Sequence, residues 1–225
     1  LIHNEYHDSF YEHCKPGVTD SSNPCWYNSF GYASSTDGGK TFRHSNGPNH
    51  VIAFPPIQWD SDSNPNGRIP GPYGYFEPSN IVKKDNYYYS VFFAITSPIP
   101  HYQTRGTCLM RTNDLSNPSS WRFWDGQGFN GQFKNPYTNQ VSNWCTFVSK
   151  QNINTLHGSL TYNTYLEKHM IVGSGVFNNE NNQQTCGFWF ALSNDLINWE
   201  KPQLLKEGPL GHPPCDNLNY NYVAD

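Results

Sequence analysis

The sequence predicts an all-β fold assembled from repeated antiparallel units, and three observations carry that prediction. First, a turn phrase occurs three times: Ser35-Thr36-Asp37-Gly38-Gly39-Lys40-Thr41-Phe42, Thr112-Asn113-Asp114-Leu115 followed by Trp121, and Ser193-Asn194-Asp195-Leu196-Ile197-Asn198-Trp199. Each copy follows an aromatic or apolar run and ends in a large aromatic, the mark of a repeated strand–turn–strand unit. Second, aromatic residues make up 16% of the chain and charged residues only 14%, with abundant Gly, Pro, Asn and Ser. That balance suits short strands joined by ordered turns. Third, no long stretch keeps a 3.6-residue apolar period, which argues against a helical bundle.

The turn phrase has a local physical cause. Side chains of Ser, Thr, Asn and Asp accept hydrogen bonds from backbone amides one or two residues on, replacing ladder bonds where a strand reverses. Gly38 and Gly39 supply positive φ in the first copy. Phe42, Trp121 and Trp199 are expected to pack back under their turns. The three aspartates are therefore read as scaffold.

Around each turn four strands are placed. In the first unit only the last three are present: Leu1 to His7, Tyr27 to Ser34, and Phe42 to His44 or beyond. In the second unit a strand from Glu77 to Val82 turns at Lys84-Asp85-Asn86 and returns as Tyr87 to Ala94. Thr107 to Arg111, the Asp114 turn and Trp121 to Trp124 complete it. The third unit runs His157 to Tyr162, Lys168 to Gly173, Gly187 to Leu192, then Trp199 to Pro202. Four-stranded antiparallel units repeated radially are the blades of a β-propeller. The prediction is one domain over 1–225 with about three blades, at roughly 1–54, 77–125 and 156–205. Because the chain opens and closes within strand-like sequence, it is expected to be a segment of a longer, secreted polypeptide.

Loop lengths then single out one face. Connections between first and second strands, and between third and fourth, are short. Those between second and third strands (8–26, 95–106, 174–186) and between blades (45–76, 125–155, 203–221) are long. In an up-and-down meander both long sets emerge together, opposite the Asp turns, and such loops build sites. Glu77 and His157 stand at the starts of first strands on that face, with Asp225 near the equivalent place for a following blade. Glu5 and His7 end a second strand and share one side of it with His3.

Composition limits the partners. A net charge of -4 with no basic block argues against nucleic acid and anionic membrane. No segment has the length of a transmembrane helix. The six cysteines (Cys14, Cys25, Cys108, Cys145, Cys186, Cys215) show no metal-site spacing. Two or three disulfides in an oxidising, extracellular compartment are expected. Cys14 and Cys25 are able to close one loop, while the connectivity stays open. The sole N-x-Ser/Thr sequence, Asn117-Pro118-Ser119, is blocked by proline, so N-glycosylation is not expected. His3 and His7 lie roughly 13 Å apart along a strand and do not share a metal. No cofactor is expected, with a structural or axial Ca2+ left open.

Two stretches resemble the five-bladed β-propeller glycoside hydrolases, the arabinanase, xylosidase and invertase-like group. They are Glu77-Pro78-Ser79-Asn80-Ile81-Val82-Lys83-Lys84-Asp85-Asn86-Tyr87-Tyr88-Tyr89 and Ser193-Asn194-Asp195-Leu196-Ile197-Asn198-Trp199-Glu200-Lys201-Pro202. The first is similar to the family's strand that starts on a functional carboxylate and enters a Tyr-Tyr hairpin. The second is similar to its outer hairpin, and the Asp37 turn is similar to the Asp-box of sialidases. The resemblance implies five blades and a glycosidase with paired carboxylates across the scissile bond. Glu77 matches the motif's carboxylate, with Glu5 and Asp60 as further candidates; the family's opening Asp-Pro base is not visible.

Carbohydrate is the expected partner, with other extracellular protein chains as an alternative. His157, His7, Tyr75, Trp59 and Arg111 are the candidate substrate-binding residues. The aromatics Trp59, Tyr73, Tyr75, Phe76, Tyr137 and Trp144 fall in long-face loops and are able to stack on sugar faces. Arg68 and Arg111 suit the carboxylates of acidic sugars. Each has a structural alternative: Glu77 as an edge carboxylate bonding amides, His157 as an axial hydrogen-bonding group, the rings as loop packing. Three readings follow: a glycosidase, an idle propeller that binds glycan, and a structural extracellular domain. Two acids about 5–10 Å apart in an axial pocket favour the first, a pocket of rings without paired acids the second, and a filled axis the third.

Overall fold

A computed structural model describes residues 1–6, 26–44, 50–59, 72–97, 103–141 and 143–208. The chain is all-β. Strands β1 (Ile2–Tyr6), β2 (Tyr27–Gly31), β3 (Val51–Ala53), β4 (Tyr73–Phe76), β5 (Val82–Lys84), β6 (Tyr87–Ile95), β7 (Arg105–Thr112), β8 (Arg122–Phe123) and β9 (Gly131–Gln132) form one nine-stranded sheet. This sheet curls into a half-barrel. Strands β10 (Ser159–Asn163), β11 (Lys168–Asn178), β12 (Gln184–Ser193) and β13 (Gln203–Glu207) form a second, antiparallel sheet in sequence order. One helical turn, α1 (Lys150–Ile153), lies between the sheets in sequence.

Alternation along β6 and β7 explains the layering, because successive side chains leave opposite faces of a strand. Tyr89, Val91 and Leu109 project to one side and pack with Leu160, Ile171, Trp189 and Ala191 of the second sheet. Phe92, Ala94, Cys108 and Met110 project to the other and pack with Phe30, Tyr75 and Phe123 inside the curl. The second predicted unit is thus buried on both faces, between the first and the third. Cys108 is bonded to Cys145, tying β7 to the segment after β9. Cys186 is also in a disulfide, and its partner lies outside the described residues, as does the expected Cys14–Cys25 loop.

The Asp turns form as the residue types dictate. The Asp37 carboxylate accepts from the amides of Lys40 and Thr41 and from the Thr41 hydroxyl. Asp195 accepts from the amides of Ile197 and Asn198 and from the Asn198 side chain. Trp121 and Trp199 are buried beneath their turns, at 2% and 3% exposure, whereas Phe42 is 66% exposed. The first turn is closed by the same kind of Ser and Asp bonds, from Ser35 and Asp37, and by the Ser34–Arg43 bridge, with its aromatic in solvent. Strand direction puts the Asp114 turn after β7 and the Asp195 turn after β12. Glu77 lies on the edge of β6 between β4 and β5, and His157 just before β10, both away from these turns.

Several boundaries differ from expectation. The first and second units share one sheet: β2 pairs in parallel with β4, Tyr27 to Tyr73 and Asn28 to Gly74. Gly74 makes this possible, with φ 118 and a backbone so close to that of Asn28 that a Cβ would collide with it. The first unit closes with β3, while Phe42 to His44 contributes only the Ser34–Arg43 bridge. The first strand of the second unit is split into β4 and β5, both on the same edge of β6. Glu77, at φ 49, stands at the break, and the Ser79 amide donates to Val91 O across it.

The long connection expected at 174–186 is a short hairpin, because β11 and β12 stay paired out to Asn178 and Gln184. Asn179 closes it by accepting from the amides of Asn181 and Gln183. The fourth strand of the last sheet begins after Pro202, as β13, and Trp199 supplies an isolated bridge to Ser193.

Candidate functional site

The break between β4 and β5 turns Glu77 out of the ladder, toward the start of β10. There its Oε2 lies 2.5 Å from His157 Nε2. His157 is set by its own neighbours: Nδ1 donates to Thr155 O at 2.7 Å, and the ring stacks on Phe93 at 4.8 Å between centroids, 14° from parallel. Gly158 follows at φ 138, with any Cβ within 2.7 Å of Val172 O, so the turn into β10 tolerates only glycine without strain.

These bonds fix where protons are. A carbonyl oxygen only accepts, so Nδ1 of His157 carries hydrogen. Nε2 and a carboxylate oxygen at 2.5 Å then require a proton between them. That proton lies on the line between Glu77 and His157. Their side chains are 22% and 17% exposed, so the pair is half-buried but open to solvent.

A second chain of polar groups approaches from β1 and β2. His3 Nε2 lies 2.5 Å from Asn28 Nδ2, and its Nδ1 lies 3.5 Å from Glu5 Oε1. An amide nitrogen donates, so Nε2 accepts and Nδ1–H points toward Glu5. The ring sits edge-on to Phe30 and Phe76. Burial pushes the His3 imidazole down to about 4; the Glu77 charge opposes that shift and the His157 charge adds to it. Asn28 is fully buried, and its Oδ1 has no partner among the described residues. His3 is thus a neutral imidazole within electrostatic reach of the Glu77–His157 pair.

The candidate residues separate into three groups. Glu77 and His157 meet, and Glu5 reaches the same cluster through His3. Asp60 and His7 lie outside the described residues, as do Arg68 and Asp225. Tyr75, Trp59 and Arg111 have structural placements. Tyr75 is fully buried among Phe30, Phe92, Phe133 and Trp144, because alternation along β4 sends it into the curl; no saccharide reaches its face, which corrects the expectation of a stacking ring. Its hydroxyl, without a partner among the described residues, is pushed well above the usual phenol range by burial.

Trp59 is partly buried, packed at the Phe76 cluster and edge-on to Tyr6 at 4.8 Å. The Arg111 guanidinium is clamped between the rings of Tyr87 and Phe129, at 3.9 and 4.1 Å from their centroids. It pairs across from Tyr89, toward the β5–β6 hairpin end of the sheet and away from Glu77. This corrects its expected role as a sugar ligand: it is a cation–π filling between strands. Asn28, Phe93 and Thr155 escaped sequence reasoning as site residues, and His3 entered it only as the neighbour of Glu5 and His7 on one side of their strand. For Asn28 a signal existed, a polar side chain inside the run Trp26-Tyr27-Asn28-Ser29-Phe30.

Among the described residues no cluster of three or more His, Cys, Asp or Glu side chains is arranged to hold a metal ion. No helix among them is long and apolar enough to cross a membrane. No protein-family model matches the chain, and no curated protein matches it.

Proposed function

We propose that the chain is a carbohydrate-active protein of glycoside hydrolase-like type, with Glu77 and His157 as the proton-handling pair. The observation that carries this reading is the 2.5 Å contact between Glu77 Oε2 and His157 Nε2, whose proton is held in a half-buried, solvent-reachable position. A bound proton at such a site is what a general acid gives to a departing oxygen. His3, kept neutral by burial, is engaged with Asn28 through Nε2 and faces Glu5 through Nδ1, so it adds a neutral polar group to the cluster and no second proton carrier.

The proposal extends to architecture. Glu77 meets His157 and Asn80 meets Leu160 at the same sequence separation of 80 residues. The Asn80 amide donates to Leu160 O at 2.6 Å and accepts from Leu160 N at 2.8 Å, joining the first strands of two successive units. Equivalent positions meeting side by side is the relation of adjacent blades around an axis. The resemblance to the five-bladed glycoside hydrolases is in accord with it. The Cys108–Cys145 disulfide supports a secreted, extracellular setting.

The partner of Glu77 is an imidazole and not a second carboxylate, and this favours, as a second reading, a non-catalytic propeller that binds glycan. Glu77→Gln separates the two. Hydrolysis of a glycan substrate is expected to fall by a factor of about 100 or more, with binding retained. Turnover unchanged in the variant removes Glu77 from any mechanism, and an inactive wild type that binds glycan selects the second reading.

A further inference from the structure

A concavity of about 430 Å³ opens between the segment after β3 and the segment after β9, lined by Pro56, Gln58, Tyr137, Thr138, Asn139 and Gln140 among others. It is built firmly for a loop surface. Asn135 anchors its floor, its Oδ1 accepting from the Tyr137 amide and its carbonyl from the Asn139 amide and side chain. Gln58 Nε2 donates to Pro136 O at 2.9 Å, and the Trp59 amide donates to the Tyr137 hydroxyl at 2.9 Å. These two bonds lock the 135–139 turn to the 56–59 segment. They also fix the Tyr137 ring, which is nevertheless 52% exposed.

The chemistry of the lining is narrow. Among the described residues it has no charged side chain; it offers one rigid aromatic ring, two proline rings and several amide and hydroxyl groups. An ionic ligand would find no counter-charge there, and a purely apolar one would leave the amides unpaired. A neutral polyol with an apolar face satisfies both. The place is also informative. Tyr137 bonds Trp59, Trp59 packs with the cluster that holds Phe76, and Phe76 precedes Glu77.

We infer that this concavity is a binding site for a neutral oligosaccharide, with a sugar ring stacked on Tyr137 and hydroxyls on Gln140 and Asn139. Resting on the carbohydrate-active reading above, it makes the ligand an uncharged chain of several sugars, engaged away from Glu77 as well as at it.

Titration of the full chain with xylohexaose, cellohexaose, mannohexaose and hexagalacturonate, each beside its monosaccharide, tests this. At least one neutral hexamer is expected to bind more than tenfold tighter than its monosaccharide and tighter than hexagalacturonate. Tyr137→Ala is expected to weaken that hexamer at least tenfold. Gln140→Ala, at an exposed position that leaves the turn's bonds in place, is expected to weaken it severalfold. Equal hexamer affinity in wild type and both variants, preference for hexagalacturonate, or no hexamer binding overturns the site. Hydrolysis by wild type and Glu77→Gln is read separately. Tyr137-dependent binding without Glu77-dependent hydrolysis keeps the site and removes the catalytic reading; Glu77-dependent hydrolysis with Tyr137-independent binding does the reverse.

Discussion

Acid should loosen this fold through His3, and the size of the effect follows from its surroundings. The imidazole is 18% exposed, accepts from Asn28 and lies edge-on to two phenylalanines. Burial holds its protonation down to about 4, against 6.5 for a free imidazole. The unfolded chain therefore takes up a proton near pH 6.5 and the native chain only near pH 4. Between these values the unfolded state binds more protons, so stability falls as pH falls. Above pH 6.5 the group contributes nothing to the pH dependence, and below about 4 the loss is complete. The full displacement corresponds to about 3 kcal/mol, a substantial part of the stability of an ordinary domain. The charged or titratable groups acting on His3 are Glu5, Glu77 and His157. Urea unfolding followed by tryptophan fluorescence at intervals from pH 7.5 to 4 measures the dependence. His3→Gln keeps an acceptor for Asn28 but cannot take up the proton. Its stability is expected to fall by about 3 kcal/mol less than that of the wild type over the same range. Parallel curves for the two proteins would refute the argument.

Other substitutions test the remaining placements. Arg111→Lys exchanges a stacked plane for a point charge between Tyr87 and Phe129, so a loss of about 1 kcal/mol in thermal unfolding is expected, with glycan binding unchanged. Gly158→Ala forces a side chain onto Val172 O at a positive φ and is expected to cost about 1–3 kcal/mol, with altered chemical shifts for the His157 imidazole. Replacing Cys108 and Cys145 together by Ala opens a closure of 37 residues and should lower stability by about 4 kcal/mol, read from the urea midpoint. Asp195→Ala removes acceptors for two backbone amides and the Asn198 side chain; about 1 kcal/mol is expected, with no change in any catalytic rate.

How much of this was legible in the residues depends on the range of the interaction concerned. The Asp turns were, because each carboxylate bonds amides within four residues of itself. So were the hairpins of the second and third units, β5–β6 and β10–β11, whose strands follow one another through short turns. Trp121 and Trp199 beneath their turns are local consequences of the same phrase. Glu77 and His157 were singled out by position, each at the start of a first strand.

What no local pattern contained is which groups face each other. Glu77 and His157 are 80 residues apart, and their contact exists because two sheets pack through one core and Glu77 leaves the ladder at a positive φ. The run Tyr73-Gly74-Tyr75-Phe76 reads equally as a stacking platform or as core; the parallel pairing of β2 with β4 settles it, driving Tyr75 inward. Arg111 reads as a sugar ligand until Phe129, from another strand connection, closes over it. Short-range hydrogen-bonding chemistry wrote the turns and strands into the chain, while burial and long-range pairing alone chose the neighbours of each charged group.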